Sequence, residues 1–170
     1  AVTVDSMYSQ VSPYEHIRVN RLSLLHGLLK TEKLSITSNY NRVELSRRLK
    51  TERDHISFNL SNSKATNFRI ATSNDSLKIS ADSLIFRSAK VALYRDKRIA
   101  DNVDEKPLYG TLLRYLPLKL DIKKLFLKKG RVSYTEKIKS EVEPSSILFD
   151  NLTVDIQNFS NSNLKKTKVH

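Results

Sequence analysis

The residues most able to do chemistry in this sequence are cations. The chain carries 30 Lys and Arg against 18 Asp and Glu, a formal net charge of +12. Five cations in the stretch KLDIKKLFLKKGR are candidates for contact with anionic headgroups or another anionic surface: Lys123, Lys124, Lys128, Lys129 and Arg131. Basic surfaces attract anionic partners, including membranes. The simpler interpretation is a solvated face that keeps a sheet protein soluble and protects its edges.

Catalytic chemistry has little support in the sequence. His16, His26, His55 and His170 stand apart, without the spacing that metalloenzyme motifs require. The three glycines form neither a phosphate-binding loop nor a nucleophile elbow. The absence of cysteine excludes disulfides and Cys-based zinc sites. We therefore predict no enzymatic activity, no metal site and no cofactor.

The apolar residues of the stretch LFLKKGRVSY, at 125–134, change phase halfway along. Leu125 and Leu127 share one phase of the alternation, whereas Val132 and Tyr134 share the other. Similar shifts occur in LSLLHGLLKT and LIFRSAKVAL. Because a slip of one residue turns a buried row outward, the recurrence indicates a structural device that keeps the apolar residues on one face.

Two devices fit these phase shifts, which are centred on Gly27, Ala89 and Gly130. One is a two-residue hairpin, which suits the glycines but fits Ala89 poorly, because alanine disfavours the positive φ of such a turn. The other is a β-bulge in a continuous strand, which does not require glycine each time. The pattern favours bulges, with the hairpin as the alternative.

The elements around these residues are mostly predicted strands. Seven segments alternate and are rich in β-branched and aromatic residues: residues 16–30, 32–39, 55–61, 67–73, 76–96, 118–137 and 145–161. Three of these segments are far longer than an average strand. The predicted fold is therefore mainly β: a long, curved antiparallel sheet that forms a groove or a folded-over meander.

Two short amphipathic helices are predicted to interrupt the strands. The first, 41–53, begins with a capping-box pair, Asn41 and Glu44. The second, 107–116, begins at Pro107 and is stopped by Pro117. We expect residues 1–170 to be a single β-rich segment cut from a longer protein, because the chain begins with Ala and shows no signal segment or membrane span.

The stretch LPLKLDIKKLFLKKGRVSYTEK followed by ILFDNLTVDIQNFSN resembles the strand pair that recurs in AsmA-like proteins of bacterial envelopes, including the TamB type. SLIFRSAKVALYRDKR and RLSLLHGLLKTEKLSI resemble it more weakly. The resemblance implies a bridge-like lipid-transfer protein: a folded-over antiparallel sheet with an apolar concave surface. It also implies a periplasmic location, an inner-membrane anchor outside this chain, and a role in phospholipid traffic and outer-membrane homeostasis.

The expected partner is thus a phospholipid or another acyl-chain lipid, held by apolar residues on one concave face. The lipid-groove candidates are Leu22, Leu24, Leu29, Leu84, Phe86, Val91, Leu93, Leu125, Leu127, Val132, Tyr134, Ile147, Phe149, Leu152, Val154 and Ile156. The structural alternative is that these residues pack on one another, or under the two helices, as a closed core.

The sequence also bears on two other classes of function, a structural or adhesive module and a nucleic-acid binder. A structural or adhesive β-module that binds proteins or glycans is the alternative. A nucleic-acid binder is not expected, because the aromatic platforms and reading helices of such proteins are missing. Because the chain ends soon after a strong strand, edge-to-edge self-association of the sheet is also expected.

Overall fold

A computed structural model describes residues 1–73, 76–101, 118–139 and 142–161. Within these residues the chain forms one sheet of eight strands, in the order β1-β2-β3-β4-β6-β7-β8, with β5 paired to β6. The prediction of a mainly β fold is confirmed. The strands are β1 (Val2–Gln10), β2 (Glu15–Leu25), β3 (Leu28–Ser38), β4 (His55–Thr66), β5 (Arg69–Ser73), β6 (Ser76–Asp96), β7 (Leu118–Lys137) and β8 (Ser145–Ser160).

The sheet is antiparallel except between β6 and β7, which run parallel with Leu77 level with Leu118. The prediction of an antiparallel sheet therefore holds for the other strand pairs and is wrong at this one. Parallel neighbours need a long crossover connection, and the chain has one between Asp96 and Leu118. The predicted helix at 107–116 falls in this connection and lies outside the described residues.

Helix α1 (Arg42–Arg48) confirms the first predicted helix but is shorter than the expected 41–53. The capping box is present: Asn41 Oδ1 accepts a hydrogen bond from the Glu44 backbone N–H at 2.9 Å, and Glu44 Oε2 accepts one from the Asn41 N–H at 3.2 Å. Leu45 is fully buried. The Arg42 guanidinium lies 4.7 Å from the ring centre of Tyr94, so the helix covers the end of β6.

The three predicted phase shifts have three different structures. At Gly27 the chain makes a two-residue hairpin between β2 and β3, with positive φ at His26 and Gly27, so the favoured bulge is wrong there. At Gly130 the β7–β8 ladder shifts its register, as a bulge does. At Ala89 strand β6 continues without a turn, and its ladder with β4 keeps one register throughout.

Strands β4 and β5 lie end to end along β6. The pairing of Thr66 with Ser83 continues in the same register as the pairing of Arg69 with Ser80. The break falls at Asn67, which has φ 48°. The backbone N–H of Phe68 donates a hydrogen bond of 2.8 Å to the carbonyl of Gly27, so the β2–β3 hairpin occupies the break.

Candidate ligand-binding faces

Apolar side chains form continuous rows across the sheet. The row through Leu84 runs over seven strands as direct cross-strand neighbours: Val2, Leu24, Leu29, Ala65, Leu84, Leu125 and Ile156. Directly paired residues project from the same face of a sheet. This row alone therefore brings together five predicted lipid-groove candidates from five strands: Leu24, Leu29, Leu84, Leu125 and Ile156.

Further rows run beside it. They are Val4, Leu22, Thr31, Ser63, Phe86, Leu127 and Val154; then Met7, Val19, Leu34, Leu60, Ala89, Gly130 and Leu152; then Ser9, Ile17, Ile36, Phe58, Val91, Val132 and Phe149; and last Ile56, Leu93, Tyr134 and Ile147. All sixteen predicted lipid-groove candidates lie in these rows. We call this surface the apolar face.

The phase shifts of the strands are aligned with one another. Between the second and third rows, the ladders from β1 to β6 skip one residue on each strand, and the β6–β7 ladder skips two on each strand. Every one of these ladders resumes in the same register. We call the following skipped residues the first transverse line: Asp5, Arg21, Glu32, Asn62, Arg87 and Lys128. Arg21 and Asn62 have positive φ, as has Asn151 on β8. The line therefore changes the alternation of β1, β2, β3, β4, β6 and β7 together, whereas β8 shifts between the third and fourth rows, at Asn151.

A second transverse line crosses fewer strands, closer to the β2–β3 hairpin. It contains Asn67 at the β4–β5 break, Asp82 on β6, Lys123 on β7 and Asn158 on β8, each skipped by the ladder. Asn67 and Asn158 have positive φ. Asparagine tolerates this conformation better than most residues, which explains its use on both lines.

Packing shows that the apolar residues stay on one side of the sheet across both lines. A Cβ built on Gly130 would lie 2.8 Å from Leu127 Cδ2, so Leu127 leans over Gly130 from the far side of the first line. Across the second line, Ala81 and Ile122 form one cluster with Leu84 and Leu125. The two lines thus keep a single apolar face in spite of the changes in alternation.

The apolar face is largely open in the part of the chain that the structure describes. Thirteen of the sixteen candidates are half-buried, and Ile147, Phe149 and Ile156 are 58%, 56% and 37% exposed. The buried positions on this face include short side chains such as Ala65, Ala81 and Ala89. No second sheet covers this face within the described residues.

Several polar groups lie among the apolar rows, and two of them have notable surroundings. Ser63 is 9% exposed, and its hydroxyl has no hydrogen-bond partner. Tyr134 donates a hydrogen bond of 2.6 Å from its hydroxyl to Glu136 Oε2. Burial, together with this bond to a carboxylate, raises the pKa of Tyr134 to about 12. The phenol therefore stays neutral at physiological pH and anchors the end of the face.

Three of the five predicted headgroup cations are neutralised by acids on neighbouring strands. Lys123 Nζ lies 2.7 Å from Asp82 Oδ1, Lys124 Nζ lies 3.7 Å from Asp155 Oδ2, and Arg131 pairs with Asp150. The Lys123 ammonium and the Asn67 amide hold the pKa of Asp82 below its usual value. Arg131 does the same for Asp150. Lys128 and Lys129 form no ion pair with any described residue.

A different group of cations surrounds a hollow on the face opposite the apolar rows. Sequence reasoning missed this set because its members come from four strands. The hollow has a volume of about 630 Å³ and is lined by Arg21, Lys30, Lys33, Lys64 and Arg87, together with Glu32, Asn62 and small residues. We call it the cationic hollow. Arg21 Nη2 donates to Glu32 Oε1 at 2.7 Å.

Sequence reasoning also missed part of the apolar face. Strand β1 was not predicted, so Val2, Val4 and Met7 were not expected there. The predicted lipid-groove candidates likewise do not include the apolar residues of β3 and β4 beyond the first line. The alternation of Leu34 with Ile36, and of Phe58 with Leu60, nevertheless indicates apolar residues that share one face.

Other kinds of site are not seen in the described ranges. No helix there is long and apolar enough to cross a membrane, and no group of three or more His, Asp or Glu side chains is placed to hold a metal ion. No protein-family model matches the chain, and neither a curated protein nor a solved structure matches it.

Proposed function

We propose that this chain is a lipid-handling segment of an AsmA-like envelope protein, in which the apolar face binds the acyl chains of phospholipids. The observation that carries the proposal is the continuity of the apolar rows over seven strands and across both transverse lines. A sheet normally buries such a face against another layer. Here large side chains such as Leu24, Leu84 and Leu125 are left half-exposed.

Acyl chains suit this surface because they supply the missing apolar layer. Each methylene that leaves water contributes about 0.8 kcal/mol, so a single acyl chain lying along a row would bind favourably without any specific polar contact. In the proposal the sheet curves so that the face lines a groove, through which phospholipid passes between membranes in support of outer-membrane homeostasis. The location is periplasmic, with an inner-membrane anchor outside this chain.

The test is native mass spectrometry of the protein purified without detergent. We expect co-purified phospholipid on the wild-type chain. The double variant L84N/L125N places two amides in the central apolar row and should reduce bound lipid by about tenfold or more, because two half-buried leucines lose their apolar contact. The matched control is I85N/F126N, which changes the next residues of the same two strands, on the opposite face.

The outcomes separate the proposal from its alternative. Circular dichroism of both variants checks that the sheet is retained. If L84N/L125N does not fold, a phospholipid with a photoreactive acyl chain can be crosslinked to the wild-type protein, and the labels should map to the apolar rows. No bound lipid, no labelling of these rows and no transfer of fluorescent phospholipid between vesicles would favour the structural or adhesive module.

A further inference from the structure

The cationic hollow brings like charges together on the face opposite the apolar rows. Lys30 of β3 is the direct cross-strand neighbour of Lys64 of β4. Arg87, on the first transverse line, and Lys33, just beyond it, line the same hollow. All four side chains are exposed. The hollow therefore presents several long, mobile cations from three adjacent strands.

These charges are not compensated within the described residues. Arg21 pairs with Glu32, which is the one acid that lines the hollow. The other four cations form no ion pair with any described residue: Lys30, Lys33, Lys64 and Arg87. Like charges at directly opposite positions of a sheet destabilise it. By contrast, Lys78 on β6 and Lys123 and Lys124 on β7 each have an acid within 4 Å. The uncompensated charge thus destabilises the sheet locally. This indicates that the cations serve an interaction with a partner outside the sheet.

The form of the hollow indicates the kind of ligand. No aromatic residue lines it, whereas sites for single-stranded nucleic acid combine cations with stacking aromatics. Its cations are exposed and spread over an open surface, which suits an array of separate phosphates better than one enclosed anion. We infer that the cationic hollow docks this face of the sheet on a bilayer rich in anionic phospholipid headgroups. The inference concerns the opposite face from the proposed lipid-binding surface and does not rest on it.

The experiment is co-sedimentation with vesicles made of equal parts phosphatidylcholine and phosphatidylglycerol, and with vesicles of phosphatidylcholine alone. The wild-type chain should bind the mixed vesicles much more tightly, and added salt should weaken this binding. The variant K30Q/K33Q/K64Q/R87Q should lose at least about tenfold in affinity, since each cation near an anionic surface contributes severalfold.

A matched control removes the same charge from the other part of the sheet. K78Q/K123Q/K124Q/R131Q deletes four cations that do not line the hollow and are paired with acids, so it should lose less than about threefold, because exposed charges away from the docked surface are screened by salt. The conservative variant K30R/K33R/K64R keeps the charge and should bind mixed vesicles as the wild type does. Thermal melts of each variant confirm that the fold is retained.

Three results would overturn the inference. These are an equal loss of vesicle binding in both glutamine variants, undiminished binding by K30Q/K33Q/K64Q/R87Q, and a loss in that variant confined to an oligonucleotide or an acidic peptide. The variant L84N/L125N should still dock on mixed vesicles. A failure of acyl-chain binding with docking intact therefore counts against the proposed function alone.

Discussion

The two transverse lines use the same backbone device but differ in their side chains. On the second line, Asp82 contacts both Asn67 and Lys123, so that its charge is compensated. On the first line, Arg21 pairs with Glu32, but Arg87 and Lys128 have no ion-pair partner among the described residues. Because both lines restore the apolar face equally well, the geometry does not require uncompensated cations. Their presence beside the first line is a separate property of the surface.

The largest expected effect concerns the close packing around Gly130, beside the first line. A Cβ on Gly130 would approach Leu127 Cδ2 at 2.8 Å and Leu152 Cβ at 3.1 Å. Gly130→Val should therefore lower the free energy of unfolding by about 2–3 kcal/mol through overpacking, as measured by urea denaturation. Gly130→Ala should cost less stability in a Leu127→Ala background than in the wild type, as a double-mutant cycle measures.

The matched position on the second line is Lys123, whose exposed side chain meets no such restraint. Lys123→Ala should change the free energy of unfolding by no more than about 0.5 kcal/mol. Equal losses of unfolding free energy for Gly130→Val and Lys123→Ala would contradict the prediction that the close packing of Leu127 against Gly130 restricts this position.

The next effect separates backbone from side chain at the two asparagines. Asn62 and Asn67 have φ 53° and φ 48°, so valine at either position should cost about 1–3 kcal/mol in strain. Glycine removes the strain at both. Asn67→Gly also loses the hydrogen bond that the Asn67 amide donates to Asp82, at a cost of roughly 1 kcal/mol or less.

Urea midpoints of the four single variants test this difference. Asn62→Gly should be close to the wild type, and Asn67→Gly should lie measurably below it. A larger loss for Asn62→Gly than for Asn67→Gly would mean that Asn62 has a side-chain role that its contacts do not show.

The smallest expected effect tests the electrostatic difference directly. Lys64→Glu replaces a like-charge pair opposite Lys30 with an ion pair, and should stabilise the sheet by about 0.2–1 kcal/mol. Lys64→Gln, which only removes the repulsion, should give a smaller gain. A thermal melt at low salt is the sensitive measurement. Destabilisation by Lys64→Glu would show that the lysines of the hollow already have compensating partners.

Local alternation was enough to predict the long strands. The predicted segments 76–96 and 118–137 coincide with β6 and β7, because an apolar side chain at every second position is a direct consequence of one buried face. The capping box of α1 was readable for a similar reason, since both of its partners lie within four residues. Strand β1 escaped prediction because it lies at the edge, is mostly exposed, and changes phase near Asp5.

What could not be predicted depends on contacts between distant parts of the chain. The parallel pairing of β6 with β7 requires a crossover connection, which the sequences of the two strands do not predict. The partners of Lys123, Lys124 and Arg131 lie on other strands, so a basic stretch that looked free in sequence is mostly neutralised. The cationic hollow is the converse case: Lys30 and Lys64 are far apart in sequence and meet only through register.

Strand β6 pairs with β4 and β5 on one side and with β7 on the other along most of its 21 residues. Within the described residues, no second layer ties the outer strands together. Cooperativity must then pass from strand to strand, as it passes between neighbouring units of a repeat protein. Amide exchange should accordingly be slowest in β6 and fastest at β1 and β8, and a ligand spread over the apolar face would couple strands that otherwise open independently.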